Sequence, residues 1–179
     1  LEVEILTAKS QPLAEPVEVF GTVAAKQSSA IGALVEGPLE TMFVTVGDRV
    51  KKGQALFQIR QADYKRRVAE ASAALRLTEA QATQAQRQYD RVIALAPRGF
   101  VSKAQVERVE TDLVVAKAQV SQSQSLLATA KQALRDTVAR APYNGVVTAR
   151  LVDEGTYLNN RFSMGEQSAA LQLQELEIV

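Results

Sequence analysis

The side chains that most often perform chemistry in proteins are missing from this chain. It contains no histidine and no cysteine, so imidazole bases, thiol nucleophiles, disulfides and the commonest transition-metal ligands are all absent. Met42 and Met164 are its only soft metal ligands, whereas a protein that handles metal is expected to offer a cluster of them. We therefore predict that the chain is not an enzyme, that it holds no metal and that it binds no cofactor.

One glycine-bearing segment, VGDRVKKGQ at residues 46–54, has some likeness to a phosphate-binding loop. A phosphate loop of the usual kind ends in Gly-Lys-Ser or Gly-Lys-Thr and leads into a helix. Neither feature is present, because no such triplet follows and the flanking residues read as strands. Gly47, Asp48 and Gly53 are therefore interpreted as residues of tight turns.

The balance of charge and hydropathy excludes further classes of protein. The 21 basic and 20 acidic residues are mixed along the chain, so there is no basic stripe of the kind that binds nucleic acid. With 46% apolar residues the chain can bury a substantial core. No apolar run approaches the roughly 20 residues that span a bilayer, and residues 1–10 lack the regions of a signal peptide. Any anchor or export signal is expected outside this chain.

Two long stretches in the middle of the chain carry a heptad pattern, which is typical of coiled-coil helices. The first seam consists of Tyr64, Val68, Ala71, Leu75, Thr78, Ala82, Ala85, Tyr89, Val92 and Ala96. The second consists of Val106, Val109, Leu113, Ala116, Val120, Ser123, Leu127, Ala130, Leu134 and Thr137. Because the two seams have the same number of layers, we predict that helices at about 62–96 and 102–137 are partners.

Only a short connection separates the two helices. Pro97 disfavours helical geometry at Ala96 and Gly99 permits a sharp turn, so the helices are predicted to fold back as an antiparallel hairpin about 50 Å long. The outer faces carry polar residues such as Gln81 and Gln122. Two interpretations of these faces stay open: a coiled coil exposed to solvent, or side-by-side packing against copies of the same chain.

Ser102 has the features of a helix N-terminus. Gln105, three residues later, completes the sequence of a capping box. Val101 and Val106 are placed to form a hydrophobic staple on either side of it. The second helix is therefore expected to begin at this serine.

Two residues near the turn lie off the seam. With Val68 at heptad position a, Arg91 falls at c and Leu95 at g, one turn apart at the same end of the hairpin. A leucine at this place has no partner within the hairpin. One interpretation is that Leu95 is an ordinary exposed apolar residue and Ser102 only a cap. The other is that all three contact a partner protein.

The segments before and after the helices read as β structure. Residues 29–59 alternate between apolar and polar positions, with turn signals at Gly37-Pro38, Gly47-Asp48 and Gly53. Residues 138–173 contain a similar series, which starts with APYNGVV at 141–147. The two segments are predicted to be halves of one sandwich.

Both β segments carry motifs of a known family. VGDRVKKGQ resembles the first half-motif of biotinyl and lipoyl domains, and the paired APYNGVV is similar to the second half in periplasmic adaptors, also called membrane fusion proteins. The matching positions are Gly47, Asp48, Val50, Gly53, Pro142 and Gly145. Asn144 replaces the aspartate that is more common in the family, and either residue suits a turn.

The resemblance implies an α+β fold in which a long antiparallel coiled-coil hairpin is inserted into a lipoyl-like β-sandwich. The halves of the sandwich would be residues 29–60 and 138–170. The hairpin would be residues 61–137, with its tip at about 97–101. The flanks, 1–28 and 171–179, would be strands of a β-barrel domain that lies mostly outside this chain.

The resemblance also implies a function. The chain is expected to be the periplasmic adaptor of a tripartite multidrug efflux system. It would link an inner-membrane transporter of the resistance-nodulation-division (RND) type to a TolC-like outer-membrane channel. A hexameric assembly is expected, held at the inner membrane by an anchor outside this chain. The spacing Arg-x3-Leu-x6-Ser at Arg91, Leu95 and Ser102 resembles the family's channel-docking motif, and cap and contact are compatible roles for one serine.

Two alternatives stay open at this point. An adaptor of an ABC-type exporter, for macrolide efflux or type I secretion, would have the same architecture, although type I secretion adaptors tend to have much longer hairpins. A lipoyl or biotinyl carrier domain needs a modifiable lysine between its two halves. Here the helices occupy that connection, and Lys51 and Lys52 lie beside a different turn. The genes beside this one would distinguish an RND from an ABC partner.

Overall fold

The computed structural model describes residues 25–98, 100–159 and 169–175. Over these ranges the chain is an α+β fold of two long helices and two four-stranded sheets. Of the flanks predicted at 1–28 and 171–179, residues 1–24 and 176–179 lie outside the described residues, and so does Met164. Met42 packs against the apolar core.

The strands lie on both sides of the helices in sequence. They are β1 Gln27–Gly32, β2 Gly37–Met42, β3 Arg49–Val50, β4 Ala55–Ile59, β5 Val138–Arg140, β6 Gly145–Arg150, β7 Tyr157–Leu158 and β8 Ala169–Glu175. One sheet has the order β1-β8-β6-β3 and the other β5-β4-β2-β7. All the paired strands are antiparallel.

Strand β8 runs across the predicted boundary between residues 170 and 171. It pairs with β1 through residues 27–32 and with β6 through residues 146–150. Each sheet therefore combines strands from before and after the helices. The division of the chain into domains stays a prediction.

Both sheets contribute to one apolar core. Its largest fully buried members are Phe57, Leu39, Leu56, Ile59, Leu171, Leu173 and Val147. Leu171 and Leu173 alternate with half-buried Gln172 and Gln174, as expected of a strand with one face on the core. At Gly37 the backbone has φ +148°, and a Cβ would lie 2.7 Å from Ile59 Cγ2, so no larger residue fits without displacement.

The helices are α1, Ala62–Leu95, and α2, Lys103–Arg135. The predicted spans are confirmed to within two residues at each end. The helices pack against each other, and since only residues 96–102 connect them they run antiparallel. Every predicted seam position is buried or half-buried, so the predicted heptad register is confirmed.

The connection between the helices differs from the prediction in one respect. Ala96 was expected to leave helical geometry because Pro97 follows it. Instead Ala96 has φ −58° and ψ −43°, and Ala96–Arg98 form a turn of 3-10 helix. The Ala96 N–H bonds the carbonyls of Ile93 and Val92, which offsets the steric bias that a following proline imposes.

Candidate functional site

The end of the helix pair distant from the sheets exposes a basic and an apolar side chain. Arg91 is exposed in the last two turns of α1, where its guanidinium donates to Gln88 Oε1 one turn back. Leu95 ends α1 with 42% of its surface exposed. Between them, Val92 faces the seam and is buried. The predicted separation of Arg91 and Leu95 from the seam is thus observed, while their role as a contact site stays a prediction.

Ser102 is the last residue of the connection and the N-cap of α2. Its Oγ accepts a hydrogen bond from the Gln105 N–H at 3.2 Å, so the predicted cap is confirmed. The capping box is only half formed, because the Gln105 side chain makes no hydrogen bond within the described residues. Ser102 is exposed, and its hydroxyl hydrogen is free to be donated outward.

A second exposed apolar side chain at this end was not predicted from the sequence. Phe100 is 74% exposed, more than any other large apolar residue of the described chain. The signal was present, since a phenylalanine between Gly99 and the capping Ser102 has no seam position to occupy. The tip therefore presents Leu95 and Phe100 beside Arg91 and Ser102, on both sides of the connection.

The two half-motifs of the sheets meet through main-chain hydrogen bonds. Gly47 N–H donates to the Val147 carbonyl at 2.8 Å, and Val147 N–H donates to the Asp48 carbonyl at 3.0 Å. Gly53 N–H donates to the Ala141 carbonyl at 2.8 Å. These amide groups are thus used within the fold and are not left to bind a phosphate, which agrees with the interpretation of the motif as turns.

Side chains complete the two turns. Asp48 accepts hydrogen bonds from Thr45 N–H at 2.7 Å and Thr45 Oγ1 at 3.0 Å. Gly47 and Gly53 have φ of +97° and +84°, a region that disfavours larger residues. Asn144 Oδ1 accepts from Lys52 N–H at 2.8 Å. An aspartate oxygen would accept the same bond, which explains why the departure from the family pattern is tolerated.

Pro142 and Gly145 have different surroundings in the second half-motif. Pro142 is exposed. At Gly145 a Cβ would lie 2.5 Å from the Gln174 carbonyl oxygen, because β6 and β8 approach closely there. Glycine at this position is required by close packing of two backbones rather than by a turn conformation.

A family model described as "RND MFP, barrel-sandwich hybrid domain" matches residues 27–170, which is most of the chain. The chain belongs to the RND membrane fusion protein family. The match includes both half-motifs and the whole helix pair.

Two curated relatives agree with this family. Multidrug resistance protein MdtA of Yersinia pestis is 26% identical over 158 residues, which cover 88% of this chain and 36% of MdtA. Nodulation protein NolF of Rhizobium meliloti is 26% identical over 152 residues, which cover 85% of this chain and 41% of NolF. This membrane fusion protein chain thus spans less than half the length of either relative.

A solved structure has the same fold. MacA from Actinobacillus actinomycetemcomitans aligns with a TM-score of 0.72 at 23% identity, over 85% of this chain and 50% of the MacA chain. At this level of identity the likeness is evidence for the fold alone.

The sides of the helix pair are not equivalent in this membrane fusion protein. Leu77, Val115 and Leu126 are each at least half exposed. In the confirmed register Leu77 and Val115 occupy position c and Leu126 position g, on the same flank as Leu95 at g. Ile93 and Val114, at e and b, lie on the opposite flank. One flank of the pair is therefore richer in exposed apolar surface.

Among the described residues, no group of three or more acidic side chains is placed to hold a metal ion. Neither helix in that part of this membrane fusion protein has an apolar stretch long enough to cross a bilayer. The one titratable group with a resolved perturbation there is Tyr64 at the other end of α1. Burial raises the pKa of its hydroxyl above the ordinary value, so the group stays protonated at neutral pH.

Proposed function

We propose that this chain is part of the periplasmic adaptor of a tripartite multidrug efflux system. In this proposal it connects an RND-type transporter of the inner membrane to a TolC-like outer-membrane channel, and an anchor outside this chain holds it at the inner membrane. It catalyses no reaction and carries no cofactor or metal. The proposal is supported by the family match, whose description names RND systems, and by the relative named as a multidrug resistance protein.

The architecture proposed for this role is a hairpin inserted into a lipoyl-like sandwich. The halves are residues 29–60 and 138–170, the hairpin is 61–137, and the flanks 1–28 and 171–179 lead into a barrel. The pairing of β4 with β5 supports the insertion, since these strands immediately precede and follow the helices. Lys51 and Lys52 lie in a turn whose main-chain N–H groups are bonded to Gln54 and Asn144. This turn is not the connection between the two halves, where a carrier domain has its modifiable lysine, and this argues against a carrier role.

The hairpin tip is the proposed docking surface for the channel. The observation that supports this role is that Leu95 and Arg91 are exposed at the end of the helix pair, whereas the seam residues are buried or half-buried between the two helices. The Arg91 guanidinium can donate a fork of hydrogen bonds to carbonyls or carboxylates at the rim of the channel. Leu95 supplies an apolar anchor. The Ser102 hydroxyl donates from the other side of the connection while its oxygen caps α2.

The tip is tested with two variants of the full-length protein, Leu95→Ser and Arg91→Asp. Each is matched with a control of similar exposure away from the tip, Leu151→Ser and Arg76→Asp respectively. Drug susceptibility is measured in cells that express every variant at equal level, together with cross-linking to the channel. We expect resistance and cross-linking to be lost in the tip variants and kept in the controls. Full resistance in both tip variants would show that the tip is only a turn.

Self-association in a hexameric ring is proposed for the apolar flank of the hairpin. Exposed Leu77, Val115 and Leu126 provide the surface that a neighbouring copy would cover. Leu126→Glu is expected to lower the oligomeric state in sedimentation velocity, and Gln124→Glu, at position e of the opposite flank, is its control. If both variants sediment like the wild type, this flank does not contribute to self-association.

A further inference from the structure

The helix pair joins the sheets through two adjacent short segments. Arg60 and Gln61 connect β4 to α1, and Asp136 and Thr137 connect α2 to β5. The Ile59 N–H donates to the Thr137 carbonyl at 2.8 Å. These segments form one narrow junction, and a rigid body held only at a narrow junction can tilt about it.

The junction itself is firmly held. Thr137 is fully buried, and its Oγ1 donates to the Leu134 carbonyl at 2.7 Å. The Gln61 side chain does not cap α1; its Nε2 donates to Thr137 Oγ1 at 3.0 Å instead. The two connections are therefore bonded to each other, which fixes their spacing.

A separate contact lies beside the junction, on the first turn of α1. Tyr64, in the first turn of α1, donates its hydroxyl to the Glu36 carbonyl at 2.7 Å. Glu36 lies between β1 and β2, outside both connecting segments. Within the described residues, this is the only side-chain hydrogen bond from α1 or α2 to a residue of the sheets or their loops. The contact lies about one helical turn past the junction, beyond the two connecting segments, where it can resist tilting.

The surroundings of Tyr64 hold its ring in place while leaving space beside it. The ring is 7% exposed, and the Arg67 guanidinium lies 5.3 Å from its centroid, a stacking distance. A cleft of about 150 Å³ opens next to the ring, lined in part by Pro38 and the exposed Tyr157. Burial also raises the pKa of the hydroxyl, so the group keeps the proton that it donates.

We propose that Tyr64 is a latch: its bond to the Glu36 carbonyl fixes the direction of the helix pair, and release of this bond lets the pair tilt about the junction at residues 59–61 and 136–137. The cleft provides the space into which the base of α1 moves. Arg67 is a positioning residue that keeps the ring in the bonded rotamer. This inference concerns the chain alone and does not depend on which transporter or channel it serves.

The test uses double electron-electron resonance between two spin labels. The width of the measured distance distribution reports how widely the direction of the helix pair varies. The chain has no native cysteine, so labels at Arg87→Cys on α1 and at Lys51→Cys in the turn between β3 and β4 report one distance distribution. Both positions are exposed. Labelled protein is diluted with unlabelled protein, so that distances between copies do not contribute.

Tyr64→Phe removes only the donor hydroxyl and is expected to broaden the distribution by about twofold. The matched control is Tyr89→Phe, which removes a hydroxyl that makes no hydrogen bond in the described part of α1. The control is expected to keep the wild-type width. Equal widths for wild type, Tyr64→Phe and Tyr89→Phe would overturn the latch.

A second variant keeps the test valid if Tyr64→Phe lowers helicity. Arg67→Met leaves the hydroxyl and the apolar packing but removes the stacked guanidinium, and it is expected to broaden the distribution by less than Tyr64→Phe. Circular dichroism verifies that helix content is unchanged. The proposal would be refuted if Arg67→Met gives the same distribution width as the wild type and Tyr64→Phe either gives that width too or is unfolded.

Discussion

The sheets and the helix pair of this chain bury their apolar residues in different ways. In the sheets, Leu56 and Phe57 have no exposed surface and belong to a core that strands of both sheets share. In the helix pair, burial is confined to one seam between two helices, and Leu113 on that seam keeps 6% of its surface exposed. The difference indicates that packing stabilises the sheets, whereas the helices form a thin rod whose outer surface is available to partners.

The largest effect is expected when the same substitution is made in each region. Leu56→Ala should lower the free energy of unfolding by about 4 kcal/mol, because the surrounding core cannot close the cavity. Leu113→Ala should cost only about 2 kcal/mol, since a residue between two helices has fewer neighbours and the site collapses more easily. Urea denaturation followed by circular dichroism measures both. Equal losses would remove the distinction between core and seam.

An intermediate effect is expected from overfilling the seam. Ala85 is half-buried at a seam position where a small residue lets the helices approach. Ala85→Leu should destabilise the protein by about 1 to 3 kcal/mol. Ala80→Leu, on the exposed face of the same helix, is the control and should change stability by less than about 0.5 kcal/mol. An unchanged melting temperature for Ala85→Leu would count against the register.

A smaller effect is expected at the cap of α2. Ser102→Ala removes the oxygen that accepts the Gln105 N–H and should cost about 1 kcal/mol of helix stability. Ser121→Ala, at an exposed position in the middle of α2, removes a hydroxyl that caps nothing and serves as control. If the two variants have the same melting temperature, the cap does not contribute to stability.

The smallest effect on stability is expected where the effect on function is proposed to be greatest. Leu95→Ser and Arg91→Asp change exposed positions off the seam, so each should shift the free energy of unfolding by less than about 0.5 kcal/mol. Helix content should equal that of the wild type. A loss of stability comparable to that of Ala85→Leu would mean that the tip is held by packing rather than kept for a partner.

Much of the helix pair was predictable because heptad spacing and capping are local. The seam from Tyr64 to Thr137, the off-seam placement of Arg91 and Leu95, and the cap at Ser102 all follow from side chains a few residues apart on a helix. The turns at Gly47 and Gly53 were predictable for the same reason, since a positive φ is a property of one residue and its neighbours.

The tertiary structure decided what depends on distant segments. The place of β8 between β1 and β6, the close approach at Gly145, and the bond from Tyr64 to the Glu36 carbonyl join residues far apart in the chain. Strand alternation predicts which residues face a core but not which strands become neighbours, because register is set by the whole core at once. The sequence by itself thus determined the rod and its exposed tip, and only tertiary packing determined how the rod is attached to the sheets.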